Sequence, residues 1–470
     1  MARRKKNRIL TSVHITGMAD KGKSVGRHED QVIFVEGAVP GDVVDVLVLR
    51  KKKGFLNGRA IKFHEYSSDR QAAICSHFGI CGGCKWQHVQ YETQLKHKQQ
   101  AVQDALRRIG KVETSHMKAI MACEQTEFYR NKLEFSFSSA RWITEEEVER
   151  GDEINDRRAL GFHRPGAFDK IVDVEKCYLQ PDPSNAIRNA VREYAKAKDL
   201  AFFDIREQEG FLRQLFIRVS SLGEVMVIVS VFHEDVEKRE ALLDFLADRF
   251  PEITALMYVI NYKKNDTIFD LEIKPYKGKD HIIDRLGHVQ FKIGPKSFFQ
   301  TNTKQAERLY EVVRDFAQLK GHENVYDLYT GIGSIACFVA ESCERITGIE
   351  EIEAAIHDAH QNAELNGIEN ATFYAGDVKD ILTAAFIEKH GKPDLLITDP
   401  PRAGMHKDVV TTLRALKAPR MVYVSCNPAT QARDLALLSD LYEVTDIQPV
   451  DMFPHTHHIE NVVGMTLKSH

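Results

Sequence analysis

The chain has 470 residues, of which 43% are hydrophobic and 28% charged, so it exceeds one ordinary domain and has material for an ample core. No apolar run approaches the ~20 residues of a membrane-spanning helix, and no apolar stretch follows the basic start, so we expect a cytoplasmic protein without a membrane segment. The net charge of −4 is uneven: residues 1–64 carry +8 and the rest −12. This asymmetry indicates a polyanionic partner, with a solvated basic tail as the alternative.

Residues 1–64 alternate short β-rich runs with turn signals such as Pro40-Gly41 and Asn57-Gly58. Apolar residues recur at every second position around Val44 and Val46. We predict an OB-like β-barrel over 1–64, a fold that binds oligonucleotides on its face. The basic run 50–53 would lie at a strand end, where it can meet phosphates.

Residues 65–290 are predicted to form a central α+β domain. Strands are expected at 212–220 and 223–232, a helix at 235–249, and a surface loop over the charged stretch 144–158. A cysteine segment opens this region in a C-x5-C-x2-C pattern, and a fourth cysteine follows far along the chain: Cys75, Cys81, Cys84 and Cys177.

Four such thiolates can hold a [4Fe–4S] cluster or a zinc ion. His77 and His88 leave a Cys3His zinc site open, and unligated core thiols are a further possibility. The eight cysteines of a cytoplasmic chain are not expected to form a disulfide framework. We expect three others to be core residues: Cys123, Cys337 and Cys343.

From 291 to 470 the pattern is strand–helix–strand, with a final pair of strands joined by a loop. Parallel strands are predicted at 324–329, 345–350, 371–377, 394–399 and 421–426. This predicts a doubly wound sheet that ends in an antiparallel hairpin, so the whole chain is multidomain α/β.

Glycines and carboxylates mark the carboxyl edge of this predicted sheet, where open α/β sheets bind ligands. Gly331 and Gly333 follow the first strand and permit a tight turn beside a ligand. Carboxylates end the next three strands, and some of them would cap the following helices: Glu350, Asp377 and Asp399. Such a rim suits the ribose, amino group and positive charge of S-adenosylmethionine better than a pyrophosphate, although Ala336 also fits the fingerprint of a nicotinamide enzyme.

Cys426 ends the fifth strand of this sheet, and Pro428 prevents the strand from continuing. The final antiparallel strand begins at Glu460 and would lie beside the fifth, so a thiol and a carboxylate should meet at one rim. Addition of a thiolate to C6 of uracil makes C5 nucleophilic enough to attack a methyl donor, and a base then removes the C5 proton. An ordinary core cysteine is the alternative interpretation of Cys426.

The chain resembles the RNA uracil-5-methyltransferase family, and the resemblance runs over essentially its whole length. Four stretches carry it: "FFQTN" (298–302), "DPPRAG" (399–404), "SCNPATQARDL" (425–435) and "HIE" (458–460). The resemblance implies a C-terminal class I (Rossmann-like) methyltransferase domain over 291–470, with Cys426 as nucleophile and Glu460 as base. It also implies S-adenosylmethionine contacts, to which we add one adenine-side residue and the two glycines: Gln300, Tyr329, Glu350, Asp399, Asp377, Gly331 and Gly333. Ser334 departs from the family, whose members often carry Asn there.

The resemblance extends to the rest of the chain. The N-terminal barrel is similar to a TRAM domain, and one branch of the family carries a [4Fe–4S] cluster on four such cysteines. Three residues are candidate RNA contacts: Phe298, Arg130 and Lys132. A buried arginine paired to an acid is the alternative for Arg130. Bulged or looped uridines are the natural substrates, because the target base must leave its stack.

Barrel and cluster together favour the 23S ribosomal RNA branch, and we expect a monomer. A transfer-RNA uracil methyltransferase keeps the same chemistry with another RNA. Cytosine-5 methylation also needs thiolate addition, although the "DPPR" and "HIE" motifs favour uracil. A non-catalytic RNA-binding protein with a structural metal is an alternative of another class.

Overall fold

The computed structural model describes residues 8–469; the first seven residues of the basic start and the last residue lie outside the described part. Five strands form a closed barrel in the order β1-β2-β3-β5-β4. Alternate residues such as Val44, Val46 and Val35 are fully buried inside it, which explains the period-two pattern. The strands are β1 (Ile9–Met18), β2 (Ser24–His28), β3 (Gln31–Glu36), β4 (Val43–Lys52) and β5 (Phe55–Glu65).

A seven-stranded sheet in the order β12-β11-β10-β9-β6-β7-β8 forms the central part, with one parallel pair, β10–β11, among antiparallel ones. Two helices, α3 and α4, cover one face, and the other face packs against the C-terminal part. The elements are α1 (Tyr91–Ala105), β6 (Lys132–Ser138), α2 (Glu145–Arg150), β7 (Ala159–Arg164), β8 (Ala167–Asp173), α3 (Ser184–Ala197), β9 (Leu212–Val219), β10 (Val225–Val231), α4 (Val236–Arg249), β11 (Ile253–Ile260) and β12 (Ile273–Gly278).

The charged stretch predicted as a loop contains a short helix, α2. Thr144 caps this helix: its hydroxyl accepts from the Glu147 N–H, and the Glu147 carboxylate accepts from the Thr144 N–H. This capping box supplies hydrogen-bond partners for backbone groups that a loop would leave to water. The stretch was predicted as a loop because of its many charged residues.

The C-terminal sheet has the strand order β17-β16-β15-β18-β19-β21-β20, and only its last two strands run antiparallel to their neighbours. The predicted doubly wound fold with a terminal hairpin is therefore confirmed. The elements are β13 (Ile282–Leu286), β14 (Val289–Ile293), α5 (Thr303–Ala317), β15 (Asn324–Leu328), α6 (Ser334–Val339), β16 (Arg345–Glu350), α7 (Glu353–Leu365), β17 (Ala371–Ala375), α8 (Val378–Ile381), α9 (Ala384–His390), β18 (Leu395–Thr398), α10 (Lys407–Leu416), β19 (Arg420–Ser425), α11 (Pro428–Leu438), β20 (Tyr442–Val450) and β21 (Glu460–Leu467).

Helix α1 lies against the C-terminal sheet although it precedes the central strands in the chain. Its residues Val102 and Leu106, the latter in a following π-helical turn, share a core with Leu435 of α11 and Tyr423 of β19. The boundaries after residues 64 and 290 stay predictions. No helix within residues 8–469 is long and apolar enough to cross a membrane.

Candidate active site

The carboxyl edge of the C-terminal sheet collects the residues predicted from the strand ends. Tyr329 follows β15, Glu350 ends β16, Asp399 follows β18 and Cys426 follows β19. Asp377 comes two residues after β17 and caps α8, accepting from the Lys379 N–H at 3.0 Å and pairing with the Lys379 ammonium. Parallel pairing of the strands brings these positions to one rim.

Cys426 and Glu460 are neighbours across two antiparallel strands. The register pairs Ser425 of β19 with Asn461 of β21, so the next residue of one strand and the preceding residue of the other meet at the rim. Burial raises the pKa of Glu460 well above its usual range, and the neighbouring Asp399 raises it further. Burial also raises the pKa of the Cys426 thiol to about 11, with the charge of Glu460 as the next cause. The Cys426 thiol therefore holds its proton at neutral pH, and the Glu460 carboxyl group is harder to ionise than an exposed one.

Arg402 is a cation beside this pair that the sequence reasoning did not single out. Its guanidinium donates a hydrogen bond to the Cys426 thiol and lowers the pKa of that group. A guanidinium nitrogen also lies 3.3 Å from Nδ1 of His458. The Arg402 carbonyl accepts from Asn427 Nδ2 at 3.0 Å and from Thr430 Oγ1 at 3.2 Å, which fixes the "DPPR" loop against α11. The "DPPRAG" motif contained the signal, but its arginine was not assigned a task.

The glycine-rich turn after β15 is held open beside Glu350. The Gly331 N–H donates to the Glu350 carboxylate at 3.2 Å, and Gly331 has φ +58 with open space where a Cβ would lie. A Cβ on Gly333, φ +77, would come within 3.1 Å of the Phe373 ring. The turn therefore needs glycine for both conformation and space.

Asp327 lies beneath this turn and was missed by the sequence reasoning, because it sits inside a strand. It is buried, and burial raises its pKa to about 7. Thr330 Oγ1 donates to one carboxylate oxygen at 2.6 Å, whereas the other has no partner among the described residues. Asp399 has a pKa raised to about 7 as well, by burial and then by Asp327. The rim is thus rich in acids, and two of them, Asp327 and Asp399, form no salt bridge with any of the described residues.

Two of the remaining predicted cofactor residues share a cavity, whereas the hydrogen bond described for Gln300 joins it to the central part of the chain. Tyr329, a non-glycine residue with φ +65, and Asp377 line a cavity of about 630 Å³. Gln300 is buried, and its carbonyl accepts from Asn131 Nδ2 at 2.9 Å. Ser334, the departure from the family, hydrogen-bonds through its hydroxyl to the Tyr310 hydroxyl at 2.9 Å.

Another large cavity, about 540 Å³, brings the cysteine segment and the candidate RNA contacts together. All four predicted ligands, Cys75, Cys81, Cys84 and Cys177, line it. Burial raises the pKa of each thiol, to about 11 for Cys81 and about 12 for Cys84. Neighbouring thiols of the set raise the pKa of Cys81, Cys84 and Cys177 further. Within residues 8–469, no group of three or more His, Cys, Asp or Glu side chains is arranged to hold a metal ion.

The three candidate RNA contacts line this same cavity: Phe298, Arg130 and Lys132. The Phe298 side chain is 70% exposed. Arg130 lies 5.7 Å from the Phe453 ring, and no carboxylate of the described residues pairs with it. Lys132 forms an ion pair with Glu134 at 2.7 Å. His458 also lines the cavity and connects it to Arg402. As expected, Cys123, Cys337 and Cys343 are buried.

The loop between β20 and β21, which leads to Glu460, is held by α1. Lys98 and Asp451 form a fully buried ion pair at 2.6 Å, and the Tyr91 hydroxyl donates to the same carboxylate at 2.9 Å. Gln94 accepts from the His455 N–H at 2.8 Å and donates toward the His455 ring at 3.2 Å. No sequence pattern indicates these contacts, because their partners are about 350 residues apart.

The His455 carbonyl also accepts from the backbone N–H groups of Lys85 and Trp86, at 2.8 and 3.0 Å. These residues directly follow Cys84, so the cysteine segment contacts the loop that leads to Glu460. Trp86 in turn reaches the barrel: its indole N–H donates to the Gly22 carbonyl at 3.4 Å, and its ring packs with Val39.

Comparison with known proteins gives two family matches. The model of the tRNA (uracil-5-)-methyltransferases matches residues 202–469, and that of the TRAM domain matches residues 4–61. An uncharacterized RNA methyltransferase of Bacteroides thetaiotaomicron is 55% identical over 96% of this chain and 100% of its own length. A relative of the same description from Porphyromonas gingivalis is 53% identical over 96% of this chain and 98% of its own.

Among solved structures, the tRNA (uracil-54, C5)-methyltransferase of Pyrococcus abyssi, in complex with S-adenosyl-L-homocysteine, matches with a TM-score of 0.75 and 27% identity. The match covers 97% of this chain and 99% of the other. Fold and relatives thus define an RNA methyltransferase with a Rossmann-like catalytic part and an N-terminal TRAM barrel. The chain belongs to the RNA uracil-5-methyltransferase family, as the motifs predicted.

Proposed function

We propose that this protein transfers a methyl group from S-adenosylmethionine to C5 of a uridine in 23S ribosomal RNA, with Cys426 as nucleophile and Glu460 as base. The observation that carries the proposal is the pairing of Ser425 with Asn461, which brings the thiol and the carboxyl group to one rim. The family membership supports the enzyme over a non-catalytic RNA-binding protein.

In the proposed reaction, Cys426 forms and breaks a bond to the base, and Glu460 accepts a proton. The Cys426 thiolate forms a bond to C6 of uracil, and the C5–C6 electron pair moves onto C5 and the O4 carbonyl. S-adenosylmethionine, when bound, would supply the methyl group. Its sulfonium would become a neutral thioether as the methyl group is lost. After C5 has taken the methyl group, Glu460 removes the C5 proton, the C5–C6 double bond re-forms, and the C6–sulfur bond breaks to regenerate Cys426.

Arg402 supplies the charge that the first step needs. With a pKa of about 11, only about one thiol in 10,000 is ionised at pH 7. The hydrogen bond from Arg402 favours the thiolate and opposes the effect of the acids around it. Glu460 acts as a base only in its ionised form, and Arg402 lowers its pKa too. A positive ligand at this rim would shift both groups in the same direction.

Binding of S-adenosylmethionine is supported by the acids of the rim. The unpaired Asp327 oxygen and the glycine turn at Gly331 fit a ligand with positive charge and a ribose. The Pyrococcus relative, whose structure contains S-adenosyl-L-homocysteine, supports the same cofactor class. We propose that Gln300, Tyr329, Glu350, Asp377 and Asp399 contact it.

The choice of RNA rests on the N-terminal half of the chain. The basic barrel and the cysteine segment, which meet at Trp86, support the ribosomal RNA branch. A transfer RNA substrate is the second candidate, because the Pyrococcus relative is named for uracil-54 of tRNA. RNA from a strain that lacks this gene, offered as purified 23S rRNA and as purified tRNA, decides between them: tritium from labelled S-adenosylmethionine should enter 23S rRNA. Labelling of tRNA alone would contradict the rRNA assignment.

A [4Fe–4S] cluster on Cys75, Cys81, Cys84 and Cys177 is the proposed occupant of the cysteine end of the large cavity. Four buried thiols in one cavity provide the right donors, and a cationic metal centre would reverse the pKa rise that burial imposes on them. No metal-ion arrangement exists among the described side chains, so the thiols must adjust on loading. The cluster would tie Cys177 to the 75–84 segment.

Anaerobic purification tests the cluster directly. We expect a brown protein with about four iron and four sulfide per chain, and loss of both in Cys84→Ser but not in Cys343→Ser. A colourless protein with one zinc would reverse the assignment.

The mechanism is tested at each of its two residues. Cys426→Ala should abolish methyl transfer and retain RNA binding. Glu460→Gln should still form the covalent adduct and accumulate it, because the C5 proton stays in place; a protein–RNA band resistant to denaturant measures this. Turnover by Cys426→Ala would refute the nucleophile, and an adduct-free, fully active Glu460→Gln would refute the base.

A further inference from the structure

A second cavity adjoins the one that contains the cysteines, on the face of the central sheet formed by β6, β9 and β10. Three alternate residues of β9 lie on this face: Gln214, Phe216 and Arg218. Their cross-strand partners are Ser136, Glu134 and Lys132 on β6, and Ser230, Ile228 and Met226 on β10. The cavity measures about 210 Å³ and shares Lys132, Glu134, Arg218 and Phe269 with its larger neighbour.

Two buried polar atoms in this cavity have no partner. Gln214 and Arg218 are each only 6% exposed, and both line the cavity. Gln214 Oε1 and Arg218 Nη1 have no hydrogen-bond partner among the described residues. Burying a polar group without a partner is unfavourable, so an unpaired acceptor and an unpaired donor on one strand indicate a ligand that brings both complements.

The alternative is that these residues only maintain the fold. A structural contact explains one nitrogen of the Arg218 guanidinium but not the other unpaired atoms. Arg218 Nη2 donates to the Ser297 carbonyl at 3.0 Å and so holds the residue before Phe298. That contact leaves the second guanidinium nitrogen free and gives Gln214 no task. An apolar residue at 214 would fill the same place without the cost of an unpaired carbonyl.

The walls of the cavity fit a flat heteroaromatic ring. Phe216, Met226, Ile228 and Ile268 supply apolar surface, and Phe269, 64% exposed, provides a ring at the mouth. A volume of about 210 Å³ is below the ~300–1,000 Å³ of typical ligand pockets, which suits a single base rather than a whole nucleotide. In the adjoining cavity, Lys296 offers positive charge for a phosphodiester, whereas Lys132 is already paired with Glu134.

We propose that this cavity, which we call the second base pocket, receives a nucleobase of the substrate RNA other than the target uridine. Gln214 accepts from a ring or amino N–H of that base, Arg218 donates to one of its carbonyls or ring nitrogens, and Phe269 stacks on its face. The inference rests on the proposed function, because the same RNA must present its target at Cys426. The pocket selects uridines by a nearby unstacked base.

The test uses short RNA fragments that span the uridine methylated in the assay above, with 5-fluorouridine at that position. Fluorine at C5 is not removed as a proton, so the Cys426 adduct persists and its yield against protein concentration reports affinity. Each neighbouring position is replaced in turn by an abasic ribose. With the wild-type protein we expect one position where the abasic ribose weakens binding about tenfold, the effect of one stacked base.

Two variants and a matched control complete the experiment. Gln214→Met keeps the side-chain length without the amide, and Phe269→Ala removes the stacking ring. Both should bind the intact RNA about tenfold more weakly and lose the sensitivity to the abasic ribose. Phe168→Ala, which removes another phenylalanine that is 64% exposed, should behave as wild type.

The outcomes separate the two proposals. If the wild-type protein forms no adduct with the fluorinated RNA, the covalent mechanism fails. If adducts form but no abasic position matters, or if both variants keep the wild-type pattern, the second base pocket is refuted while the mechanism stands. Circular dichroism and a melting curve for each variant exclude loss of folding as the cause.

Discussion

Arg402 shows how a single residue can control the reactivity of the site. Its guanidinium opposes the burial and the neighbouring acids that keep the Cys426 thiol protonated. A hydrogen bond from a charged donor contributes about 1.5–3 kcal/mol, or one to two pKa units. The same arginine approaches His458, which lines the large cavity, so a base entering from that side would pass it.

Arg402 lowers the pKa of Cys426, so removing its charge should make the thiol less reactive. Arg402→Met should raise the pKa of Cys426 further above 11 and so reduce the thiolate fraction at any pH below that value. Alkylation of Cys426 by iodoacetamide at pH 9, followed by mass spectrometry, should slow by about 10- to 100-fold. Arg414→Met, which removes a surface arginine paired with Asp440, is the control. An unchanged alkylation rate would show that Arg402 does not act on the thiol.

His455 gives a second prediction at this scale. Its Nδ1 lone pair faces the Gln94 amide N–H, and that amide nitrogen also donates to the carbonyls of Trp86 and Val89, which fixes the orientation. Burial lowers the pKa of His455 to about 4, and Lys98 lowers it further while Asp451 opposes this. Protonation of His455 would place its Nδ1–H against the Gln94 amide N–H, so that two donors would face each other.

Because the folded-state pKa lies below the unfolded value of 6.5, the unfolded chain binds the proton first as the pH falls. Neutral His455 therefore makes its full contribution to the free energy of unfolding above pH 6.5. This contribution, on the order of 3 kcal/mol, is lost as the pH falls from about 6.5 to about 4. Urea unfolding at pH 7 and 4.5 should show a smaller loss for His455→Gln than for wild type. An equal loss in both would place the acid sensitivity elsewhere.

At the scale of elements, the decisive contact is between α1 and the loop after β20. The buried pair of Lys98 and Asp451, with the Tyr91 hydroxyl, fixes the loop from which β21 begins at Glu460. Lys98 also donates to the Phe453 carbonyl at 3.0 Å, so one ammonium holds two points of the loop. Helix α1 thereby positions the proposed base although it lies outside the sheet.

Removing one partner of this pair is therefore expected to be costly. Lys98→Met leaves Asp451 buried without its cation and should lower the free energy of unfolding by about 3–5 kcal/mol. In Lys98→Met with Asp451→Asn the buried charge is gone and the acceptor for Tyr91 remains, so part of the stability should return. Urea unfolding measures both. A double variant no more stable than the single one would show that the charge is not the cause.

At the scale of the molecule, three parts meet around the cysteine segment. The barrel contacts Trp86, the same residue contacts the His455 carbonyl, and the four cysteines share a cavity with the candidate RNA contacts. The basic run 50–53 lies exposed at the turn between β4 and β5, at the strand end where the sequence analysis expected it.

The charge on this turn predicts a salt-dependent contribution to RNA binding. Lys51→Ala with Lys53→Ala should reduce the slope of log affinity against log salt by about 1.4–1.8, the contribution of two phosphate contacts. Filter binding between 50 and 200 mM salt measures it. The pair Lys198→Ala and Lys389→Ala, both exposed elsewhere, is the control. An unchanged slope would mean that the barrel turn does not touch phosphate.

The sequence by itself determined the local elements and the chemistry at their ends. Strand and helix periods, the glycine turn at Gly331 and the stop at Pro428 depend on a few adjacent residues, so the doubly wound order and the rim residues could be predicted. The predicted strand order also paired Cys426 with Glu460, and the family motifs added their roles as nucleophile and base. The helix at Glu145–Arg150 was missed because its capping box was read as loop charge.

Only the tertiary structure decided which distant side chains meet. Arg402 lies beside Cys426, and Lys98 contacts Asp451. Gln214 Oε1 and Arg218 Nη1 face a cavity and have no hydrogen-bond partner among the described residues. None of these contacts leaves a periodic trace, because burial and hydrogen-bond satisfaction depend on how separate elements pack, and packing is set by the whole chain at once.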